Sequence, residues 1–216
     1  MWNEQIIMML LEGIKDTLYM TLTSTLIGYV IGLPMGILLT VTDKDGIHPN
    51  AAVYKVLDVI ANLIRSVPFL ILLIVLIPFT RFLIGRSYGP TATIVPLVIA
   101  AAPYIARMVE SSLKEVDAGV IEAARSMGAS NFTIVTKVML VEARTSLIVG
   151  ATISLGTILG YSAMAGTVGG GGLGDIAIRY GYTRWQTDIM IVTVILLVIL
   201  FLSLIHISEP TRPRLI

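Results

Sequence analysis

The chain has 216 residues, of which 56% are hydrophobic and 13% charged, with a formal net charge of +1. A soluble domain carries about 25% charged residues, and a nucleic-acid partner needs a basic footprint that this balance does not supply. With no cysteine, disulfide frameworks and thiolate metal sites are excluded as well.

What remains is an all-helical, polytopic bundle in a membrane. Residues 1–16 hold Glu4 and Glu12, without a basic segment or a small-residue cleavage site; they read as an uncleaved extracytoplasmic start. Charge-free intervals then mark about five spans in a transmembrane domain over residues 17–202, each needing about 20 apolar residues to cross the hydrocarbon. The first is Thr17 to Thr42, between Asp16 and Asp43. Its Gly28, Gly32 and Gly36 repeat every fourth residue, a stripe that lets helix backbones approach closely, within the chain in preference to across a dimer seam. The second has its core at Ser66 to Thr80, extended upstream through Val59 to Ile64. Arg65 and Arg81 must snorkel there, and Pro68 and Pro78 are tolerable among neighbouring helices. Thr91 to Ala106 is the third span, and Thr145 to about Val168, with Gly156 and Gly160, is the fourth. Gly169 to Gly172 then read as an extracytoplasmic loop or a flexible connector. Tyr180, Tyr182 and Trp185 form an interfacial aromatic belt before the fifth span, Ile189 to about Leu202. Residues 203–216 resemble a translated sequencing adapter and are set aside as a non-native tail.

The longest charged interval, residues 107–144, separates the third and fourth spans. Asp117 is a cap for a short helix beginning near Ala118, and Gly128 ends it in a left-handed conformation. Ser130 then caps a second helix. Ile121, Ala124 and Met127 or Gly128 share one face of the first. Ala123 and Ala124 keep it thin, and Glu122 offers acceptors for charge-assisted hydrogen bonds from a partner. On the second, Phe132, Val135 and Val138 or Met139 form an apolar stripe toward the bundle. With this loop on the cytoplasmic side, lysines and arginines number eight inside and five outside, which agrees with the positive-inside rule.

The constellation Glu122-Ala123-Ala124 with Gly128 resembles the coupling loop of permease subunits in bacterial ABC importers. The family pattern runs on to an aliphatic residue, a leucine and a proline. Val138, Leu140 and Val141 stand at those places, so the proline is absent. The resemblance implies that Glu122, Ala123, Ala124 and Gly128 dock on a cytoplasmic ATPase. The chain itself has no Gly-x-x-x-x-Gly-Lys-Ser/Thr motif, so it is expected to be a non-catalytic subunit. ATP and Mg then belong to a partner ATPase dimer, and this chain carries no cofactor of its own.

The five charge-free cores hold no acid, base or histidine, which argues against a proton-coupled carrier with a buried carboxylate. Arg65-Ser66-Val67-Pro68-Phe69, Ala101-Ala102-Pro103-Tyr104, Gly160-Tyr161-Ser162-Ala163-Met164-Ala165-Gly166 and Gly170-Gly171-Gly172-Leu173-Gly174 look like signatures of methionine-type ABC permeases. That resemblance covers roughly Glu12 to Phe201. It implies a type 1 importer permease fold in the bacterial inner membrane, in contact with lipid and dimerised with a second copy of itself. It further implies a methionine-capturing lipoprotein outside and uptake of D- and/or L-methionine. In the family the span matching Tyr161, Ser162 and Met164 lines the translocation path. There Met164 is a candidate gate, while hydroxyls such as those of Tyr161 and Ser162 more often bond to nearby backbone. Other readings are the same importer for another solute, an ion-coupled carrier without ATP, and a membrane scaffold.

Overall fold

A computed structural model describes residues 4–208, and among these no strand forms. Helix α1 runs unbroken over Glu4–Thr42, 39 residues. It therefore begins well before the charge-free interval at Thr17. The reason is its buried stripe: Leu10, Gly13, Thr17 and Met20 continue the spacing of Gly28, Gly32 and Gly36 upstream past Glu12 and Asp16. Leu10 packs with Leu173 and Ile176, so burial extends the helix through the charged residues.

The second span is not straight. Helix α2 (Ala51–Ser66) meets α3 (Phe69–Val75) at an angle of 101°. Pro68 forces the preceding residue out of the helical region, and Val67 is extended at φ −84°, ψ 125°. A second break at Leu76 starts α4 (Ile77–Ile84), with Pro78 in its first turn, where a missing N–H costs nothing. The expected continuous helix from Val59 to Thr80 is thus three segments.

Helix α5 (Pro90–Lys114) is the centre of the bundle. It packs along α1, and also against α2 and the later α9. The seam with α1 is very close. A Cβ on Gly32 would lie 2.6 Å from the carbonyl oxygen of Ala102, and one on Gly36 2.5 Å from that of Ala106. The glycine stripe therefore serves packing inside the chain, as preferred from the sequence.

Short helices α6 (Ala118–Ser126), α7 (Asn131–Thr133) and α8 (Leu140–Glu142) form the loop, with a π-helical turn over Ile134–Met139. Helix α9 (Arg144–Ala165) is the fourth span. Beyond it the glycine run is neither a loose connector nor an open loop. Gly172, Leu173 and Gly174 are buried, and the Leu173 amide donates to Thr17 Oγ1 at 2.9 Å. Helix α10 (Gly172–Ile176) passes so close to α9 that a Cβ on Gly174 would sit 2.1 Å from the Ala163 carbonyl oxygen. A π-helical turn (Ala177–Tyr182) leads to α11 (Thr187–Ser208), the most apolar helix, with a mean hydropathy of 3.0 in its best window. Among the described residues, four helices are long and apolar enough to cross a membrane, or five with the bent α2–α3 pair taken as one span.

Candidate functional site

The loop between α5 and α9 folds as its local chemistry dictates. Asp117 accepts a hydrogen bond from the Gly119 amide at 2.8 Å and caps α6. At its other end Gly128 takes φ +77°, a region where a side chain is strained. The Gly128 amide reaches the Arg125 carbonyl oxygen at 2.9 Å, and the Ala129 amide that of Ala124 at 3.1 Å. Ser130 then accepts from the Thr133 amide at 3.2 Å and starts the second helix.

Two anchors fix α6 to the bundle. Ala124 is buried in a cluster with Leu113, Ile134 and Met139. The Arg125 guanidinium donates to the carbonyl oxygen of Ile47, in the turn after α1. Glu122, Ala123 and Gly128 face outward and are exposed. Met127 does not share the face of Ile121 and Ala124 that the spacing predicts for it. The helix ends at Ser126, so Met127 becomes its cap and is 81% exposed. Phe132 is likewise turned out, 78% exposed, although the spacing had placed it against the bundle. The π turn changes the register: Ile134 and Met139, five residues apart, are the two buried residues there, with Val135 and Val138 half-buried beside them. Beneath Glu122 lies a groove of about 610 Å³ between the turn after α1 and the end of α5, whose lining includes Asp43, Lys44 and Arg125. Among the described residues nothing forms an ion pair with Glu122.

Above this groove is a charged layer that the sequence reading missed. Arg107 bonds to Asp58 of α2, to Asn62 Oδ1 at 3.0 Å and to Glu110 at 2.6 Å. Lys114 bonds to Glu110 at 2.8 Å and to Asp43 at 2.6 Å. Five charged groups on α2, α5 and the turn after α1 are thereby stapled together. The spacing of Arg107, Glu110 and Lys114, i, i+3 and i+7, was the available signal. The Lys114 ammonium holds the Asp43 carboxyl below the usual carboxylate range. Its contribution to stability is fully present above the unfolded-state value of about 3.9. It is lost as pH falls through the lowered folded-state value. Glu110 is the buried centre, 5% exposed. Replacing it by alanine leaves two cations facing each other, so Glu110→Ala is expected to cost roughly 2–4 kcal/mol, the lower figure reflecting the exposure of Lys114. Thermal unfolding of the detergent-purified chain, followed by size exclusion, measures the loss.

The residues of α9 divide between two faces. Met164 is 44% exposed, beside Gly160, around which no atom lies within 4 Å of an added Cβ. Tyr161 is half-buried and stacks on Phe69 with ring centroids 4.4 Å apart and planes at 5°. Ser162 points the other way. It is 1% exposed, donates to the Leu159 carbonyl oxygen at 2.7 Å and faces Thr21 of α1. The structure thus groups Tyr161 and Met164 on the open side and places Ser162 in the α1 seam.

The family described as "binding-protein-dependent transport system inner membrane component" matches residues 17–210. A probable D-methionine transport system permease protein MetI of Vibrio cholerae is 47% identical over 192 residues, covering 89% of this chain and 85% of that protein. The D-methionine transport system permease protein MetI of Escherichia coli is 51% identical over 164 residues, 76% of each chain. A solved inward-facing conformation of the MetNI methionine ABC transporter superposes with a TM-score of 0.94 at 48% identity, covering 96% of both chains. The fold is that of a type 1 ABC importer permease, and the chain is a multi-pass inner-membrane subunit and not itself an enzyme. With 17–210 matched by its profile, this chain belongs to the family of inner membrane components of binding-protein-dependent transport systems.

Proposed function

We propose that the chain forms the membrane pathway of an ATP-driven importer for methionine, in one or both enantiomers. The observation that carries this is the 48% identity and TM-score of 0.94, over 96% of each chain, with a transporter described as carrying methionine. Two copies of the chain form the pathway, a cytoplasmic ATPase dimer binds ATP and Mg, and an extracytoplasmic lipoprotein delivers the amino acid.

Glu122, Ala123, Ala124 and Gly128 are the coupling residues in this reading. The exposed, thin α6 with an unpaired carboxylate suits insertion into an ATPase groove, with Arg125 and Ala124 passing its movement to α1 and α5. ATP-driven closure of the motor then rocks the spans between inward- and outward-facing states. Tyr161 and Met164 line the pathway on the open side of α9. Met164 gates it with a flexible thioether, and Ser162 fixes that helix to α1. The membrane domain spans residues 17–202, with its coupling loop at 107–144.

Reconstitution into proteoliposomes tests the reading. Radiolabelled methionine is expected to accumulate only when ATPase, ATP and capture protein are all supplied. Accumulation by this chain alone, or strict dependence on a different solute and its capture protein, overturns it.

A further inference from the structure

Arg65, expected to snorkel from the second span, is exposed one residue before the end of α2. Helices α2 and α5 meet through Asp58 and Arg107. Seven residues along α2 is Arg65, and seven residues back along α5 is Ala100; both line one cavity. That places Arg65 roughly 10 Å deeper than the charged layer. Tyr104, in the same cavity, lies three residues before Arg107, about one helical turn inside the charged layer.

A guanidinium at that depth is costly unless it faces a partner or a water-filled path. Arg107 has three partners, whereas among the described residues nothing forms an ion pair with Arg65. The cavity is about 200 Å³, below the range of about 300–1,000 Å³ typical of drug-sized ligands and of a size for one amino acid. Opposite Arg65 its wall is aromatic. Phe69 and Tyr161 are locked by stacking, and the Tyr104 hydroxyl lies 3.4 Å from Thr157 Oγ1, whose one proton goes to the Ile153 carbonyl oxygen at 2.9 Å.

We propose that Arg65, Tyr104 and Tyr161 form a transient site below the charged layer that receives the carboxylate of the transported amino acid, with Phe69 and Tyr161 bearing its side chain. This rests on the importer reading above and extends it to a place inside the pathway. A planar guanidinium grips a carboxylate with two hydrogen bonds, and a thioether rests well against aromatic rings.

The test uses the complete importer in proteoliposomes and a photoreactive methionine with a diazirine in its side chain. Labelled peptides are expected to contain Phe69–Leu72 or Tyr161. Labelling should be suppressed by 3-(methylthio)propanoate, which keeps the carboxylate, and not by methioninamide, which lacks it. Arg65→Met should lower methionine uptake roughly 10- to 100-fold, with Arg65→Lys between it and the wild type, and ATPase recovery unchanged in both. Methionine uptake by Arg65→Met at the wild-type rate overturns the inference while leaving the importer reading intact. So does equal suppression of labelling by the acid and the amide, or loss of ATPase recovery in Arg65→Met with labelling preserved. Should Arg65→Met fail to assemble, the competition on wild-type labelling decides alone. An importer that moves no methionine overturns both.

Discussion

Glu122→Lys is expected to abolish recovery of the ATPase with the permease while leaving membrane insertion intact. The carboxylate sits on the outward face of α6, exposed and without an ion-pair partner among the described residues. Nothing in the fold of this chain depends on it, so reversing its charge leaves the bundle unaffected. Within a docked interface the same change removes an acceptor and adds a repulsive cation. Truncating one member of a buried, hydrogen-bonded charge pair weakens association by roughly 30- to 1,000-fold, and reversal goes further. Co-purification with a tagged ATPase, beside immunodetection of the permease in washed membranes, separates the two effects. Normal recovery of the ATPase would remove Glu122 from the interface. Gly128→Leu gives the complementary case: its Cβ would meet nothing within 4 Å, but φ +77° is strained for any side chain. It should displace the exit of α6 and weaken docking without adding charge.

The coupling loop was legible because its signals are local. Asp117, Gly128 and Ser130 each act within three residues of themselves, through a cap or a left-handed backbone, and such chemistry survives any tertiary context. Phe132 and Met127 were misplaced because helical spacing was carried through a cap and a π turn, where the period changes. The bent second span was legible only in part. Pro68 announces a break, but the 101° angle comes from packing of α3 against α5 and α9. Charge in the sequence gives Arg65 no neighbour; its place beside Ala100 follows from α2 running antiparallel to α5. The glycine run shows the same limit. Flexible connectors and tight backbone crossings use the same residue, and only the contacts with Ala163 and Thr17 identify this one as a crossing.

The charged layer connects these parts. Coupling helix α6 is held to the turn after α1 by Arg125, and the end of α1 is held to α5 and α2 by Asp43, Lys114, Glu110, Arg107 and Asp58. A displacement of α6 therefore reaches α2 through ionic contacts, seven residues below Arg65 and the bend. In the proposed importer, the motor's movement and the aromatic wall of the cavity would share this one chain of contacts.

Gly32→Val should be the most damaging single change in the membrane region. The added Cβ would approach the Ala102 carbonyl oxygen at 2.6 Å and the Ile105 Cβ at 2.9 Å. The oxygen belongs to the backbone, which no rotamer change can move, so α1 and α5 must separate. Overpacking in a core costs typically about 1–3 kcal/mol. The upper end applies here because a gap between helices in lipid is not closed by any hydrophobic force. At about 3 kcal/mol the melting midpoint of a chain this long falls by roughly 6–12 °C. Gly160→Ala supplies the contrast. It adds a Cβ on α9 in open space, and the isolated subunit should melt as the wild type does. Equal shifts for the two variants, measured by size exclusion after stepwise heating in detergent, would mean that the α1–α5 seam is looser than its contacts indicate.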